Sequence, residues 1–146
     1  MIETVEHNSK IMAIIIRSSY TSQGIEFFTP DDFSQQLAYM RREKGYLIEP
    51  HIHNSIPRTV NYTNEVLYIK SGKLRADFYN DNKDYLKSMI LSKGDVILLA
   101  SGGHGFKIIE EAEIIEIKQG PYAGELDKER FKSISPKKIQ LTGDKD

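Results

Sequence analysis

The feature that most constrains the fold is a series of short runs rich in β-branched and aromatic residues, separated by turn-forming residues. Such residues favour extended strands, and short strands spaced every 8–12 residues are typical of β-sandwiches and β-barrels. The sequence therefore predicts an all-β protein with little helix. The runs are IMAIIIRSSY (11–20), GIEFFT (24–29), YLIEPHIH (46–53), EVLYIKSGKLRADFY (65–79), LKSMILS (86–92), GDVILLA (94–100), FKIIEE (106–111) and AEIIEIKQG (112–120).

The turn signals between these runs predict how the chain is organised. Ser71-Gly72 predicts a turn that divides residues 65–79 into two strands, and we expect 106–111 and 112–120 to be separate strands as well. The segment 30–45 has both helical and strand features, and we expect a short turn of helix near 30–35 followed by a strand from about Gln36. We expect one domain over 1–146.

Within that domain the sequence predicts three parts. A barrel core covers roughly 36–118, a short extension of N-terminal strands covers 11–29, and a partly flexible, highly charged tail covers 125–146. The length of 146 residues is enough to bury a sizeable core.

Composition excludes several classes of function. The 20 basic and 21 acidic residues leave a net charge of −1, so nothing predicts attraction to nucleic acid or to an anionic membrane. Cysteine is absent, which excludes disulfides, thiolate catalysis and cysteine-based zinc sites and fits a cytoplasmic protein. The apolar run Ile11 to Ile16 is far shorter than a membrane span, and the polar N-terminus is unlike a secretory signal.

Two of the four histidines, His51 and His53, lie two positions apart in the predicted strand 46–53. Alternate residues of a strand share a face, so both imidazoles are expected to point the same way. They are either metal ligands or exposed, hydrogen-bonded side chains. If the strands form a barrel, Glu65 and His104, which follows a later strand in a glycine-broken loop, can converge with them. Three imidazoles and a carboxylate suit one divalent ion such as Mn, Fe, Co, Ni or Zn.

The spacing around these residues resembles the first motif of the cupin superfamily, a small β-barrel of the jelly-roll type. That motif reads glycine, five residues, His-x-His, three or four residues, glutamate, six residues, glycine. This chain has Gly45, five residues, His51-Ile52-His53, then Glu65, six residues and Gly72. Eleven residues instead of three or four separate His53 from Glu65.

The second cupin motif is matched less closely. It reads glycine, five residues, Pro-x-Gly, two residues and histidine, followed later by asparagine. Here Gly94 is followed after five residues by Ala100-Ser101-Gly102 and then by His104, so alanine replaces proline, the histidine comes one residue early and no asparagine follows in place. The resemblance covers roughly 36–118. It implies a jelly-roll barrel with His51, His53, Glu65 and His104 as metal ligands.

The eleven-residue insertion 54–64 is either a plain surface loop or a lip over the barrel mouth. In the second case Arg58 can clamp a carboxylate or phosphate by bidentate hydrogen bonds, and Tyr62 can stack on a ring or donate a hydrogen bond. Tyr39 and Arg41, on the strand before Gly45, are further candidates for binding the substrate.

Phe106 is expected to share a face with His104 and to line the pocket or to pack in the core. It completes the set of residues predicted to bind the substrate.

Three functions remain open at this level. One is a mononuclear metalloenzyme, of isomerase or dioxygenase type, acting on a sugar, sugar phosphate or carboxylic acid. Another is a metal-free sugar-nucleotide isomerase or epimerase that uses the histidine pair, His51 and His53, as general base. The third is a binding module for a small ligand without catalysis. A homodimer is also expected, because the apolar segment 11–17 is suited to pairing with or packing on a second copy.

Overall fold

Eight β-strands make up almost all of the regular structure in a computed structural model that describes residues 1–143. The end of the predicted flexible tail, 144–146, lies outside the described residues, and flexibility of 125–146 stays a prediction. Two short 3₁₀ helices, Gly124–Asp127 and Pro136–Lys138, lie after the last strand. The strands are β1 (Ile2–His7), β2 (Lys10–Ile16), β3 (Gly24–Phe27), β4 (Ala38–Arg41), β5 (Glu65–Tyr79), β6 (Tyr85–Ser92), β7 (Val96–Leu99) and β8 (Gly103–Lys118).

The chain divides into two compact units. One comprises Met1–Tyr20 and the chain from Tyr62 onward, and the other comprises Thr21–Asn61. A single domain over 1–146 stays a prediction. Residues 1–143 contain no α-helix, which confirms the predicted all-β class, and within them no helix has the length and apolarity to cross a membrane.

The larger unit is a strongly curled antiparallel sheet, a half-barrel, built around the long strand β5. On one side β5 pairs with β8 along its whole length. On the other side its first part pairs with β7 and its second part with β6, and the order continues from β7 to β2 and β1. The four-residue strand β7 therefore joins the N-terminal hairpin β1–β2 to the rest of the sheet.

The concave face of this sheet holds the hydrophobic core. Alternate residues of β5 point into it, among them Leu67, Ile69, Leu74, Ala76 and Phe78, all buried. The predicted apolar segment 11–17 contributes to the same core from β2. Because Met12 to Ile16 are buried within their own chain, this segment does not offer the surface on which the homodimer was expected to form.

The curl of the sheet is produced by a bend inside β5 at Gly72. The predicted turn at Ser71-Gly72 is wrong, because β5 continues through it as one strand with irregular pairing to β8 between Ile69 and Leu74. Gly72 has φ +78, and a Cβ placed there would lie 2.0 Å from the carbonyl oxygen of Glu111 on β8. Only glycine allows the two backbones to approach so closely while adopting this left-handed conformation.

The bend is also held from the side of β8. The Ser71 hydroxyl contacts both the Glu113 carboxylate, at 3.2 Å, and the Glu113 backbone N–H, at 3.3 Å. Lys70 donates to the same carboxylate at 2.9 Å. These contacts tie the two strands together where their regular ladder is interrupted. The predicted division of 106–120 into two strands is also wrong, because β8 continues as one strand that bends together with β5.

The chain after β8 covers the outer edge of β6. The Ser88 N–H donates to the Gln140 carbonyl at 2.8 Å, and the Thr142 N–H donates to the Ser88 carbonyl at 2.9 Å. An edge strand with unpaired backbone groups is a site for unwanted pairing, and these bonds remove part of that exposure.

The smaller unit, Thr21–Asn61, carries a two-stranded antiparallel sheet of β3 and β4. The predicted strand from about Gln36 is present as β4, but the predicted turn of helix near 30–35 is absent. Instead, the Gln36 side chain donates to the carbonyls of Pro30 and Phe33 and accepts a hydrogen bond from Thr29, which closes this loop without a helix.

The predicted strand 46–53 is wrong, because residues 42–64 form no regular secondary structure. A strand needs a neighbour for its backbone hydrogen bonds, and residues 46–53 have none among the described residues. β1, whose alternating polar residues pair with β2, was not predicted.

Substitution Gly72→Ala tests the bend. We expect it to lower the free energy of unfolding by about 2–4 kcal/mol, through left-handed strain and the clash with the Glu111 carbonyl. The measurement is urea denaturation followed by circular dichroism. The matched control is Gly124→Ala, where φ is +66 but no atom lies within 4 Å of the added Cβ, and we expect a loss of only about 1 kcal/mol. Equal losses in the two variants would contradict the close approach.

Candidate functional site

The bend in β5 brings together Glu65 and His104, two of the residues singled out in the sequence. Along the ladder Glu65 pairs with Lys118, whereas His104 pairs with Phe78, thirteen positions further along β5. A straight strand would place Glu65 about 43 Å from Phe78, the residue opposite His104. In the curled sheet, His104 Nε2 lies 3.1 Å from Glu65 Oε2. His104 was expected in a loop, and it is instead the second residue of β8.

Glu65 is the centre of a small charged cluster. Its second carboxylate oxygen, Oε1, lies 3.3 Å from the ammonium group of Lys118, whose Nζ is also 2.6 Å from Asp127. The Thr63 hydroxyl donates to the other oxygen of Asp127. The side chain of Glu65 is only 15% exposed, so its negative charge is stabilised by the ammonium group of Lys118 and by the hydrogen bond with His104 as well as by water.

These contacts lower the pKa values of two carboxyl groups, those of Glu65 and Asp127. The hydrogen bond from His104 lowers the pKa of Glu65 and so does the ion pair with Lys118, while partial burial opposes them. The pKa of Asp127 is lowered by Lys118 first and by Thr63 second. In return, the hydrogen bond with Asp127 raises the pKa of Lys118, to which Glu65 also contributes. Glu65 and Asp127 are therefore ionised at neutral pH.

The cluster lies in the wall of a cleft with a volume of about 660 Å³. One wall comes from the residues before and at the start of β5, another from both ends of β8, and a third from 127–133 of the chain after β8. Phe106 and Tyr62, both predicted to contact a substrate, line this cleft. The Phe106 ring lies 5.5 Å from the His104 ring, on the same face of β8, as expected from the strand period.

The chain after β8 is anchored to the cleft by an aromatic contact. The Phe131 ring packs edge-on against Tyr79 with 5.0 Å between ring centroids, and the Ile134 N–H donates to the Tyr79 hydroxyl at 3.0 Å. With the Asp127 ion pair, these contacts hold residues 127–134 as the third wall.

His104 is oriented by its hydrogen bond with Glu65. Because a carboxylate only accepts hydrogen bonds, His104 donates through Nε2–H to Glu65. In the neutral imidazole the proton on Nε2 leaves a lone pair on Nδ1, and Nδ1 has no hydrogen-bond partner within residues 1–143. A carboxylate that fixes one ring nitrogen while the other is a base is the arrangement that general bases use in enzymes.

The other predicted site residues lie in the smaller unit. His51 and His53 are neighbours, with ring centroids 5.2 Å apart and the rings edge to face, and His51 Nδ1 lies 3.0 Å from the Glu49 carbonyl oxygen. They lie in irregular chain rather than in a strand, so the predicted strand does not account for their proximity. Arg58 is exposed in the same irregular segment.

Tyr39 and Arg41 both lie on β4, as the sequence predicted for the strand before Gly45. Arg41 donates to the Thr21 hydroxyl at 3.1 Å. Their proposed contact with a substrate stays a prediction.

The four predicted metal ligands thus form two pairs, one in each unit: His51 with His53, and Glu65 with His104. Across the described chain, no group of three or more His, Asp or Glu side chains is gathered as a metal site would require. The four-residue metal site stays a prediction.

Sequence reasoning missed Lys118 and Asp127. Lys118 is the last residue of β8 and lies directly opposite Glu65 in the ladder, so a correct pairing of 114–118 with 65–69 would have revealed it. Asp127 belongs to the charged segment after β8, where no local pattern distinguishes it from its neighbours.

Comparisons of this chain with protein-family models, with curated proteins and with solved structures found no match. The fold is an all-β half-barrel, and no family is assigned to it.

The variant Glu65→Gln tests the charged cluster by its dependence on pH. The pKa of Glu65 is lower in the folded state than in the unfolded chain, where it is about 4.3. The ionised carboxylate therefore stabilises the fold at pH values above 4.3, and this stabilisation is lost as the pH falls through the folded pKa. We expect Glu65→Gln to lower the free energy of unfolding by about 1 kcal/mol at pH 7, and by much less at pH 3. Urea denaturation at both pH values measures this. Glu116→Gln, in the same cleft, is the matched control, and a loss at Glu65 that is equal at both pH values would contradict the ion pair.

Proposed function

We propose that the cleft of the larger unit binds a small oxygen-rich molecule and that His104, oriented by Glu65, acts on it as a general base. The observation that carries this proposal is the hydrogen bond of 3.1 Å between His104 Nε2 and Glu65 Oε2, formed inside a cleft large enough for a ligand.

The surroundings of His104 support this role. The ionised Glu65 stabilises the positive charge that the imidazole gains when it takes a proton on Nδ1. Lys118 lies on the opposite side of Glu65, where it keeps this carboxylate ionised. Phe106 provides an apolar surface beside the imidazole.

The lining of the cleft favours a polar ligand with an apolar part. Charged and hydroxyl side chains, among them Lys128, Glu129 and Ser133, face it beside the rings of Phe106 and Phe131. Sugars, sugar phosphates and hydroxy acids combine hydroxyl groups with an apolar C–H face. Sugars in their open-chain form carry an acidic C–H next to an aldehyde or ketone, and hydroxy acids carry one next to the carboxyl group. Isomerisation or epimerisation of such a molecule needs a base that removes this proton and an acid, here the protonated imidazole or water, that returns a proton to carbon.

A ligand panel tests the proposal. We expect at least one sugar, sugar phosphate or hydroxy acid to raise the melting temperature and to exchange a carbon-bound proton with deuterated solvent, as seen by NMR. His104→Asn should lower the exchange rate by about 10²–10⁴-fold while the ligand still binds.

The matched control is His7→Asn, the same change on β1, which should leave the exchange rate unaltered. Binding with no proton exchange would reduce the proposal to a binding module, and unchanged exchange in His104→Asn would refute the role of His104.

A second candidate function is the metal-dependent one that the resemblance to cupins implies. The distance of 3.1 Å between His104 Nε2 and Glu65 Oε2 is suitable for two neighbouring ligands of one ion, given bonds of about 2.0–2.2 Å. The resemblance implies His51 and His53, whose rings lie 5.2 Å apart, as the other two ligands. A divalent Mn, Fe, Co, Ni or Zn ion held by these residues would act as a Lewis acid toward an oxygen-rich substrate. The ammonium group of Lys118 would compete with such an ion for the Glu65 carboxylate.

Metal content decides between the two candidates. Protein purified without a nickel column is analysed by mass spectrometry for metals, as are His51→Asn and His7→Asn. The metal-dependent function requires a stoichiometric ion that is lost in His51→Asn and kept in His7→Asn. Proton exchange that persists after treatment with a chelator excludes it and leaves the metal-free base.

A further inference from the structure

Glu116 is a carboxylate of the cleft that the charged cluster around Glu65 does not include. It lies opposite Leu67 in the ladder between β8 and β5, and Leu67 is buried in the core, so both side chains lie on the concave face of the sheet. Glu116 is exposed and lines the cleft. Its carboxylate has no ion pair and no hydrogen bond with any described residue, so its charge is available to a ligand.

The charged side chains that line the cleft carry one more negative charge than positive, when His104 is neutral. Among the described residues the acidic ones are Glu65, Glu116, Asp127 and Glu129, and the basic ones are Lys118, Lys128 and Arg130. Glu129 is paired with Lys83, which does not line the cleft. Arg130 is paired with Glu125, which does not line it either. These two ion pairs cancel, so the excess of one negative charge remains.

The two remaining cations of the cleft lie beside carboxylates. The ammonium group of Lys118 is 2.6 Å from Asp127 and 3.3 Å from Glu65. Lys128 forms no ion pair within the described chain, but its charge acts on the neighbouring carboxylates of Asp127 and Glu125. An anionic ligand that approaches either lysine therefore also meets two carboxylates, which weakens its attraction.

Aromatic rings provide a second surface that suits a cation. Phe106 and Phe131 line the same cleft, and both side chains are exposed. The face of an aromatic ring carries partial negative charge and attracts an ammonium group that lies within about 6 Å of the ring centroid. Together with the free carboxylate of Glu116, these rings favour a cationic group over an anionic one.

We propose that the cleft binds a molecule that carries a protonated amino group, such as an amino sugar, and that Glu116 binds this group. The inference rests on the proposed role of the cleft as a ligand-binding site and adds the chemical class of the ligand. It does not depend on the role of His104. An ammonium group donates hydrogen bonds that a carboxylate accepts, whereas the phosphate or carboxylate of an acidic ligand is repelled by Glu116.

Matched ligands test this inference. Glucosamine, glucose and glucuronate share a pyranose ring and differ in charge, as do galactosamine, galactose and galacturonate. Binding of all six to the natural protein is measured by isothermal titration calorimetry at pH 7. We expect the amino sugar of at least one set to bind about 10-fold more tightly than the neutral sugar, because a charge-assisted hydrogen bond is stronger than a neutral one. The acidic sugar should bind more weakly than both.

The variant Glu116→Gln should remove this preference, so that the amino sugar and the neutral sugar bind equally well. The substitution keeps the size of the side chain and breaks no contact with a described residue, so we expect the variant to remain folded, as circular dichroism will show. The matched control is Glu111→Gln, which removes the same charge from β8 at a residue that does not line the cleft, and it should keep the preference.

Two results overturn the inference while the proposed function remains open to its own test of proton exchange in His104→Asn. One is that the natural protein binds the neutral or the acidic sugar as tightly as the amino sugar. The other is that Glu116→Gln keeps the preference. Binding of none of the six sugars also overturns the inference, and the wider panel of sugar phosphates and hydroxy acids then decides whether the proposed function fails with it.

Discussion

The close approach of two backbones at Gly72 is the constraint on which the rest of the larger unit depends. It turns an extended two-stranded ribbon, β5 with β8, into a curled one, and the core fills the concave side. Without that curl, Glu65 and His104 would lie at opposite ends of the ribbon. The residue that shapes the fold and the residues that form the cleft are therefore linked through backbone geometry rather than through side-chain contact.

Glu65 has two roles that depend on each other. As an ion-pair partner of Lys118 it belongs to a charged chain that reaches Asp127 and fixes the third wall of the cleft. As the acceptor of the hydrogen bond from His104, it sets which imidazole nitrogen holds the proton. Asp127 is therefore connected to His104 through two ion pairs and one hydrogen bond, although the two residues belong to different parts of the chain.

Local sequence patterns predicted most strands but not the pairing between them. β-branched runs identified β2, β5, β6, β7 and β8, because a half-buried pleated surface selects those residues wherever it occurs. The same signal failed at 46–53, since propensity cannot supply a hydrogen-bonding neighbour. The convergence of Glu65 with His104 was expected from a closed barrel and from the resemblance to cupins. Lys118 was missed because its importance depends on the register of β5 against β8.

The four-residue strand β7 has a consequence for how the protein is made. It is the only strand, among those described, that joins β2 to β5, so the N-terminal hairpin has no place in the sheet until residue 99 has left the ribosome. Until then the apolar side chains of Met12 to Ile16 have no core to enter. The nascent chain therefore passes through a long interval in which its most hydrophobic segment is available to chaperones, and also to aggregation.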